Sequence, residues 1–449
     1  MGDLLCDALE HHRKLDMISL HTPGHKNNFD GLRDLWEYDY TELPDTDSLF
    51  EASGAILQSE NFAATVFGTK KTMYSAGGCT LAIQAMIRLV APCGGKVIFG
   101  RTIHKSAINA SALLGIDPVF ILPGFDAGEY MPGRILPVDV ENALTANSDA
   151  KAVYITSPDY FGVISDIGAI AKICEKFNVP LIVDNAHGTH LKFLSSDMHP
   201  ISLGATISAD SAHKTLPVFT GGALLQIGED RFVSDAREAM ALFASTSPSY
   251  PIMASIDKAM VWADKYAKSS FSCLEEKVQE ILRTARNYGF CTPIGVCDPT
   301  RVSLNTRSIG ITGIRAADFF RKNGFEPEYA NQSYVVMIPT PFVNCECLDK
   351  LMDVIRSIPD NCRDLSDQCD LPINEIFTFD LPTKEILPRE ALLSQKKVLP
   401  IDDTINKICA EVATVCPPGI PVVMPGEKIS KDVVDLLKRY GFFKLKVVK

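Results

Sequence analysis

Residues 207–228 read ISADSAHKTLPVFTGGALLQIG, and the reading of this stretch decides the fold. Two apolar runs, TISAD at 206–210 and ALLQI at 223–227, flank a compact polar knot in which Lys214 follows Ser211 and His213. Neither run alternates strictly between apolar and polar residues. Such runs fit strands buried on both faces, as in a parallel sheet covered by helices. A solvated lysine needs no such setting, and a turn needs no His-Lys pair. What Lys214 does depends on its neighbours in the sheet.

Working outward, KVIFG (96–100), PVFIL (118–122), AVYIT (152–156) and PLIVD (180–184) repeat the buried-strand pattern. Between them, TLAIQAMIRLV (80–90) and DIGAIAKICEKFN (166–178) have helical spacing. This alternation predicts an α/β fold with a mainly parallel central sheet. In such sheets ligands bind beyond the strand C-termini, so the residues just after each strand matter most. A long helical region is expected from Pro251 to Gly289, and a smaller α/β unit from RVSLNTRSIG, GIRAADFFRKNG and SYVVMIPT. The breaker-rich SDQCDLPINEIFTFDLP (366–382) then leads to a C-terminal α/β unit holding CPPGIPVVMPGEKIS (416–430) and the helix KDVVDLLKRYG. The expected division is an N-terminal arm at 1–60, a large domain at 61–250, a small domain at 251–360 and a C-terminal domain at 371–449.

Composition narrows the function class. A chain of 449 residues with 46% hydrophobic and 22% charged residues is ordinary for a globular protein. The net charge of -11, with no long basic run, argues against nucleic acid as partner, because neutralising phosphates needs clustered Lys and Arg. Thirteen cysteines, an odd number without paired CxxC sets, read as reduced thiols in a cytoplasmic protein. Cys345 and Cys347 in NCECLD read as incidental, so no metal is expected. The start, MGDLLCDALEHHRKLD, lacks the apolar core of a signal peptide, and Cys6 stands where a myristoylation site needs Ser or Thr. No run approaches the roughly 18 apolar residues of a membrane helix, so a soluble protein is expected.

Four features fall at strand ends or helix starts. Gly77, Gly78, Cys79 and Thr80 open a helix, where bare N–H groups and a hydroxyl make a site for phosphate. His104 follows a strand, where an imidazole can stack on a flat ligand. Asp184 ends PLIVD, followed by His187 and Gly188, and a carboxylate there can hold a cationic ring nitrogen or cap a helix. Lys214, flanked by Ser211 and His213, suits a Schiff base to an aldehyde cofactor. Each has an ordinary structural reading by itself. Together they are the parts that hold pyridoxal 5'-phosphate.

At this point the chain resembles the Orn/Lys/Arg decarboxylase family of pyridoxal-phosphate enzymes, with the aspartate-aminotransferase fold (fold type I). The resemblance begins at HTPGHK (21–26) and runs through YTELPDTDSLFEASGAILQSENFAATVFG (40–68), GGCTLAIQAMI, IHKS, TSPDYFGVISDI, VDNAHGTH and SAHKTLP to PPGIPVVMPGE (417–427). It is similar to the short form, without the receiver-like wing domain of the long bacterial members. The resemblance implies that Lys214 is the Schiff-base lysine, that Asp184 pairs with the pyridinium nitrogen and that His104 stacks on the ring. It places Gly78, Cys79, Thr80 and Ser211 at the phosphate, His213 beside phosphate and lysine, and His187 near the ring. Two departures stand out. Gly78-Cys79-Thr80 replaces the common Gly-Ser-Thr, losing a hydroxyl, and Ser157-Pro158-Asp159-Tyr160 replaces Ser-Pro-Thr-Tyr, adding a carboxylate near the cofactor mouth.

The implied reaction is decarboxylation of lysine, arginine or ornithine to CO2 and a diamine or agmatine. The resemblance also implies a homodimer, with the HTPGHK arm reaching toward the partner's site. Asp159 and Glu427 are the candidate acids for the substrate's distal cation. Two other readings stay open. An aminotransferase or other lyase on the same fold would use an arginine clamp, for which Arg301, Arg307 and Arg315 are available. A catalytically silent homologue would have no need of Lys214, Asp184 and His104 together.

Overall fold

The apolar runs around Lys214 assemble into one seven-stranded sheet in the computed structural model, which describes residues 18–20, 47–124, 133–293, 295–362, 381–415 and 420–449. Several stretches read above lie outside the described residues: HTPGHK, the segment 40–46, most of the breaker-rich stretch, and 416–419 of the Pro/Gly loop. The strand order is Lys71–Ser75, Ala223–Ile227, Ile207–Asp210, Leu181–Asp184, Ala152–Thr156, Gly95–Gly100, Ile116–Ile121. All neighbours pair in parallel except Ala223–Ile227, which is antiparallel to both of its neighbours. Every other strand therefore ends on the same edge of the sheet. Val97, Ile98, Phe99, Val153, Ile155, Ile182 and Ile207 are fully enclosed. Burial on both faces is why these strands carry apolar runs and no alternation.

The strand Lys71–Ser75, KTMYS, has no such run and escapes the sequence reading, as do helices Ala55–Phe67, Lys105–Leu114 and Pro137–Ala146. The first of these helices buries Ile56, Glu60, Ala63, Ala64 and Phe67 against the sheet. Its one buried acid is satisfied: Glu60 binds the Arg237 guanidinium at 2.6 Å and accepts the Tyr74 N–H at 3.1 Å.

A buried polar cluster locks the strand ends. Asp210 accepts from Asn185 Nδ2 at 2.8 Å and from Ser208 Oγ at 3.1 Å through one oxygen. Its other oxygen lies 2.8 Å from His199 Nε2. These groups sit on or beside adjacent strands, so the register that places Asp184 next to Ala209 is held by side chains as well as by the ladder.

The long helical region is helix Tyr250–Trp262, a π-helical turn at Ala263–Ala267, and helix Lys268–Asn287. Gly289, at φ 91°, ends it in the left-handed region that a side chain resists. The small unit has a three-stranded antiparallel sheet of Tyr329–Ala330, Tyr334–Met337 and Val302–Asn305. Its helix, Gly313–Lys322, is capped by Thr312, whose hydroxyl accepts the Arg315 N–H at 3.3 Å. The N-terminal strand Ile18–Leu20 pairs in parallel with Phe325–Pro327. No helix among the described residues is long and apolar enough to cross a membrane.

The C-terminal unit packs helix Lys431–Arg439 over two antiparallel strand pairs, around Val422, Val423, Val433, Leu437, Leu445 and Val447. Arg101 anchors it to the large sheet. The guanidinium, fully buried, binds Glu427 through two bonds of 2.7 and 2.9 Å and donates to the carbonyls of Pro421 and Val422. Glu427 also accepts the Met424 N–H at 2.8 Å. Glu427, expected to receive substrate, thus has both oxygens committed within the protein. Removing one member of such a pair strands the other charge in a dry interior. Glu427→Ala is expected to lower stability by about 3–5 kcal/mol in urea unfolding, and the double variant Arg101→Met/Glu427→Met to recover much of that loss.

Candidate active site

The lysine read first sits on a four-residue helix, Ala212–Thr215, directly after strand Ile207–Asp210. Gly221 and Gly222 return the chain beside it. Gly221 has φ 97°, and a Cβ on Gly222 would lie 2.2 Å from Val218. The turn is useful as well as tight. The Gly222 carbonyl lies 3.0 Å from His213 Nδ1 and accepts the His213 backbone N–H at 3.1 Å. The Gly221 carbonyl accepts the N–H of Gly78 at 2.8 Å. One loop thus fixes the lysine turn and the glycine-rich helix entry together.

Lys214 Nζ lies 2.9 Å from His187 Nε2. Burial pushes the Lys214 ammonium below its ordinary pKa, although the nearby carboxylates oppose that shift. Burial also drives His187 well below the usual imidazole value, and the Lys214 and Arg301 cations push the same way. The pair therefore favours a neutral amine, the nucleophilic form. His187 Nδ1 is buried without a hydrogen-bond partner among the described residues, and the Tyr160 ring meets its imidazole edge-on at 5.1 Å.

Asp184, 1% exposed, ends its strand with both oxygens engaged. Oδ1 accepts the Ala186 N–H at 3.1 Å, and Oδ2 accepts the Tyr154 hydroxyl at 2.8 Å. Tyr154 lies inside the AVYIT run, and the sequence reading took it for core. His104 caps helix Lys105–Leu114, with Nδ1 accepting the Ser106 N–H at 3.3 Å. Its ring is exposed at the mouth, yet local desolvation lowers its pKa and the charges of Asp184 and Lys214 reach it.

Gly78 begins the 13-residue helix Gly78–Val90 at φ 72°, with open space where a Cβ would stand. Thr80 is exposed on the first turn. Cys79 points inward and hydrogen-bonds Ser211; burial and the charge of Asp184 push its thiol well above the ordinary value. The thiol is thus a neutral, buried neighbour of the site.

Asp159 does not present a carboxylate at the mouth. It is buried, and Oδ1 accepts the N–H groups of Phe161 at 2.9 Å and Val163 at 2.8 Å, holding its own loop. Burial raises its pKa to about 7. Glu328, which the sequence reading missed, accepts the Tyr160 hydroxyl at 2.9 Å, and its charge reaches Lys214 and His213. No local signal marks it, since GFEPEY reads as a strand and a turn.

Residues 4–289 match the family described as Orn/Lys/Arg decarboxylase, major domain, and residues 373–446 match its C-terminal domain. The chain belongs to the Orn/Lys/Arg decarboxylase family. It is similar to an arginine decarboxylase of Bacillus subtilis (strain 168), 28% identical over 469 residues that cover 96% of this chain and 92% of that protein. An arginine decarboxylase of Halalkalibacterium halodurans is 29% identical over 453 residues, covering 94% of this chain and 90% of its own. Lysine decarboxylase A from Pseudomonas aeruginosa, at 16% identity, shares the fold with a TM-score of 0.77 over 99% of this chain and 82% of its own.

The chain is thus a pyridoxal-phosphate-dependent carboxy-lyase acting on a basic amino acid, and the aminotransferase and silent-homologue readings are set aside. The residues present fit that cofactor. A desolvated lysine, a strand-end carboxylate, an imidazole at the mouth and an open glycine helix entry converge on one edge of the sheet.

The raised pKa of Asp159 has a stability consequence. The folded state holds this proton more tightly than the unfolded chain, so its contribution is full below the ordinary carboxyl value and is lost as pH rises toward about 7. Asp159→Asn cannot titrate and keeps an acceptor for Phe161 and Val163. Relative to wild type, the variant is expected to gain stability from pH 4 to pH 7 and level off above, read from urea midpoints.

Proposed function

We propose that Lys214 carries pyridoxal phosphate, that Asp184 faces its ring nitrogen and His104 covers its ring, and that Glu328 receives the distal cation of the substrate. The observation that carries this reading is the half-buried Lys214 amine, 2.9 Å from His187 and desolvated under the opposing charges of Asp184 and Glu328. The phosphate belongs at the Gly78 helix entry with Thr80, Ser211 and His213 around it. The cofactor supplies an electron sink for the bond to the departing carboxylate. The protein supplies the rest. Its residues hold the carboxylate bond across the ring face, keep the amine of Lys214 neutral, and return one proton to Cα as CO2 leaves.

Arginine is the first substrate to test, in view of the relatives at 28–29% identity, with lysine and ornithine beside it. A guanidinium or ammonium leaving water needs a carboxylate to offset the cost, and Glu328 takes the place expected earlier of Asp159 and Glu427. The enzyme is proposed to act as a cytoplasmic homodimer.

Product analysis tests the reaction. Arginine, lysine or ornithine should yield CO2 and the matching amine, whereas neutral norleucine should be a poor substrate; release of a keto acid would overturn the assignment. Glu328→Gln should raise KM for the cationic substrate by roughly 10- to 100-fold with the cofactor's visible spectrum unchanged. Borohydride reduction followed by peptide mapping should place the cofactor on Lys214, and an adduct on Lys105 or Lys192 would refute the lysine assignment.

A further inference from the structure

Arg301 stands one residue before strand Val302–Asn305 of the small unit and is 3% exposed. Its Nη2 donates to the His187 carbonyl at 3.3 Å and lies 3.7 Å from Asp298 Oδ2. Nε and Nη1 are buried and have no hydrogen-bond partner among the described residues. The stem is wedged in place: a Cβ on Gly162, which sits at φ 94°, would lie 2.8 Å from Arg301 Cγ. Asp298 is fixed in turn by the N–H and hydroxyl of Thr300, at 2.9 and 2.8 Å, and by His190 Nε2 at 3.1 Å. The Arg301 charge reaches the lysine site, lowering the pKa of both Lys214 and His187.

We infer that Arg301 binds the α-carboxylate of the amino-acid substrate, the group that the reaction removes. The inference rests on the decarboxylase reading above and adds to it the anion half of substrate recognition. A guanidinium cannot lose its proton here, so unmet N–H groups in a dry site are costly. Nε and Nη1 lie on different edges of the planar guanidinium, so either one offers a carboxylate a single charge-assisted hydrogen bond, and the substrate brings a carboxylate to the carbon beside the nitrogen that must reach the cofactor. Asp298 shares the Arg301 charge at a distance longer than a tight ion pair. The cation therefore orients a carboxylate without holding it so firmly that ground-state binding opposes CO2 loss. Glu328 and Arg301 then read opposite ends of the same molecule. After CO2 leaves, the amine product keeps the cation that Glu328 reads and lacks the anion that Arg301 reads, so it binds more weakly than substrate.

The competing reading is structural: the free nitrogens of Arg301 serve Asp159, whose Oδ2 is also buried without a partner among the described residues. Equilibrium binding separates the two. In holoenzyme reduced with borohydride, which cannot turn over, calorimetric titration compares arginine with agmatine and lysine with cadaverine. Arg301→Gln should weaken the amino acid by roughly 10- to 100-fold while the matching amine changes by less than about threefold, and Arg301→Lys should restore part of the difference. Equal weakening of acid and amine, or an unchanged preference for the acid, would overturn the inference. Should Arg301→Gln fail to fold, Arg301→Lys carries the same comparison by itself. A wild-type enzyme that binds these ligands but releases no CO2 would remove the reaction assigned above, and the acid-against-amine comparison would still decide the role of Arg301.

Discussion

A carboxylate buried at a strand end sets the geometry of the side chains around Lys214. Asp210 lies fully buried at the end of the strand before Lys214, and it is bound by His199, Asn185 and Ser208. Asn185 directly follows Asp184 and Ser211 directly follows Asp210, so this one cluster fixes where two strands stop. An unpaired charge at that depth would be intolerable, and the pairing makes any slip of register expensive. Asp184 inherits that rigidity from Asn185, the next residue, and Lys214 from Asp210, four residues before it.

The two halves of the site have different origins. Of the residues proposed for it, strand ends of the large sheet provide Lys214 and Asp184, while the small unit brings Arg301 and Glu328. The seam between them is backbone-bonded: Asp298 N donates to the Gly162 carbonyl at 2.8 Å, and Ile164 N to the Val296 carbonyl at 3.0 Å. Asp159 belongs to this seam. Its carboxyl organises the loop that packs on Arg301, which explains a buried acid where the substrate-facing reading expected an open one.

Much of this was legible along the chain. Strands with apolar runs were found within two residues of their bounds because burial on both faces leaves no other composition. The positions of Lys214, Asp184, His104 and Gly78 at element ends were legible because each follows or opens such an element. What escaped depends on partners distant in sequence. Glu427 looked free, yet its cation stands 326 residues earlier. Tyr154 looked like core because its hydroxyl meets Asp184 only across the sheet. Glu328 has no motif at all, and Arg301 was noticed only for a reaction the family does not run. Strand Lys71–Ser75 was missed because its polar residues, Thr72, Tyr74 and Ser75, are buried with hydrogen-bond partners that lie outside the strand, on Gln226, Ser59 and the Gly78 carbonyl.

That edge strand has a consequence for the order of assembly. Lys71–Ser75 has one strand neighbour among the described residues, Ala223–Ile227, about 150 residues later in the chain. During synthesis, at roughly 5–20 residues per second, this first strand of the seven-stranded sheet must wait on the order of ten seconds for its ladder. Its hydrogen-bonding edge stays unpaired throughout that interval, a template for mispairing until the last strand of the sheet emerges. Lys214 emerges just before that closing strand, so this lysine and the final ladder of the sheet become available almost together.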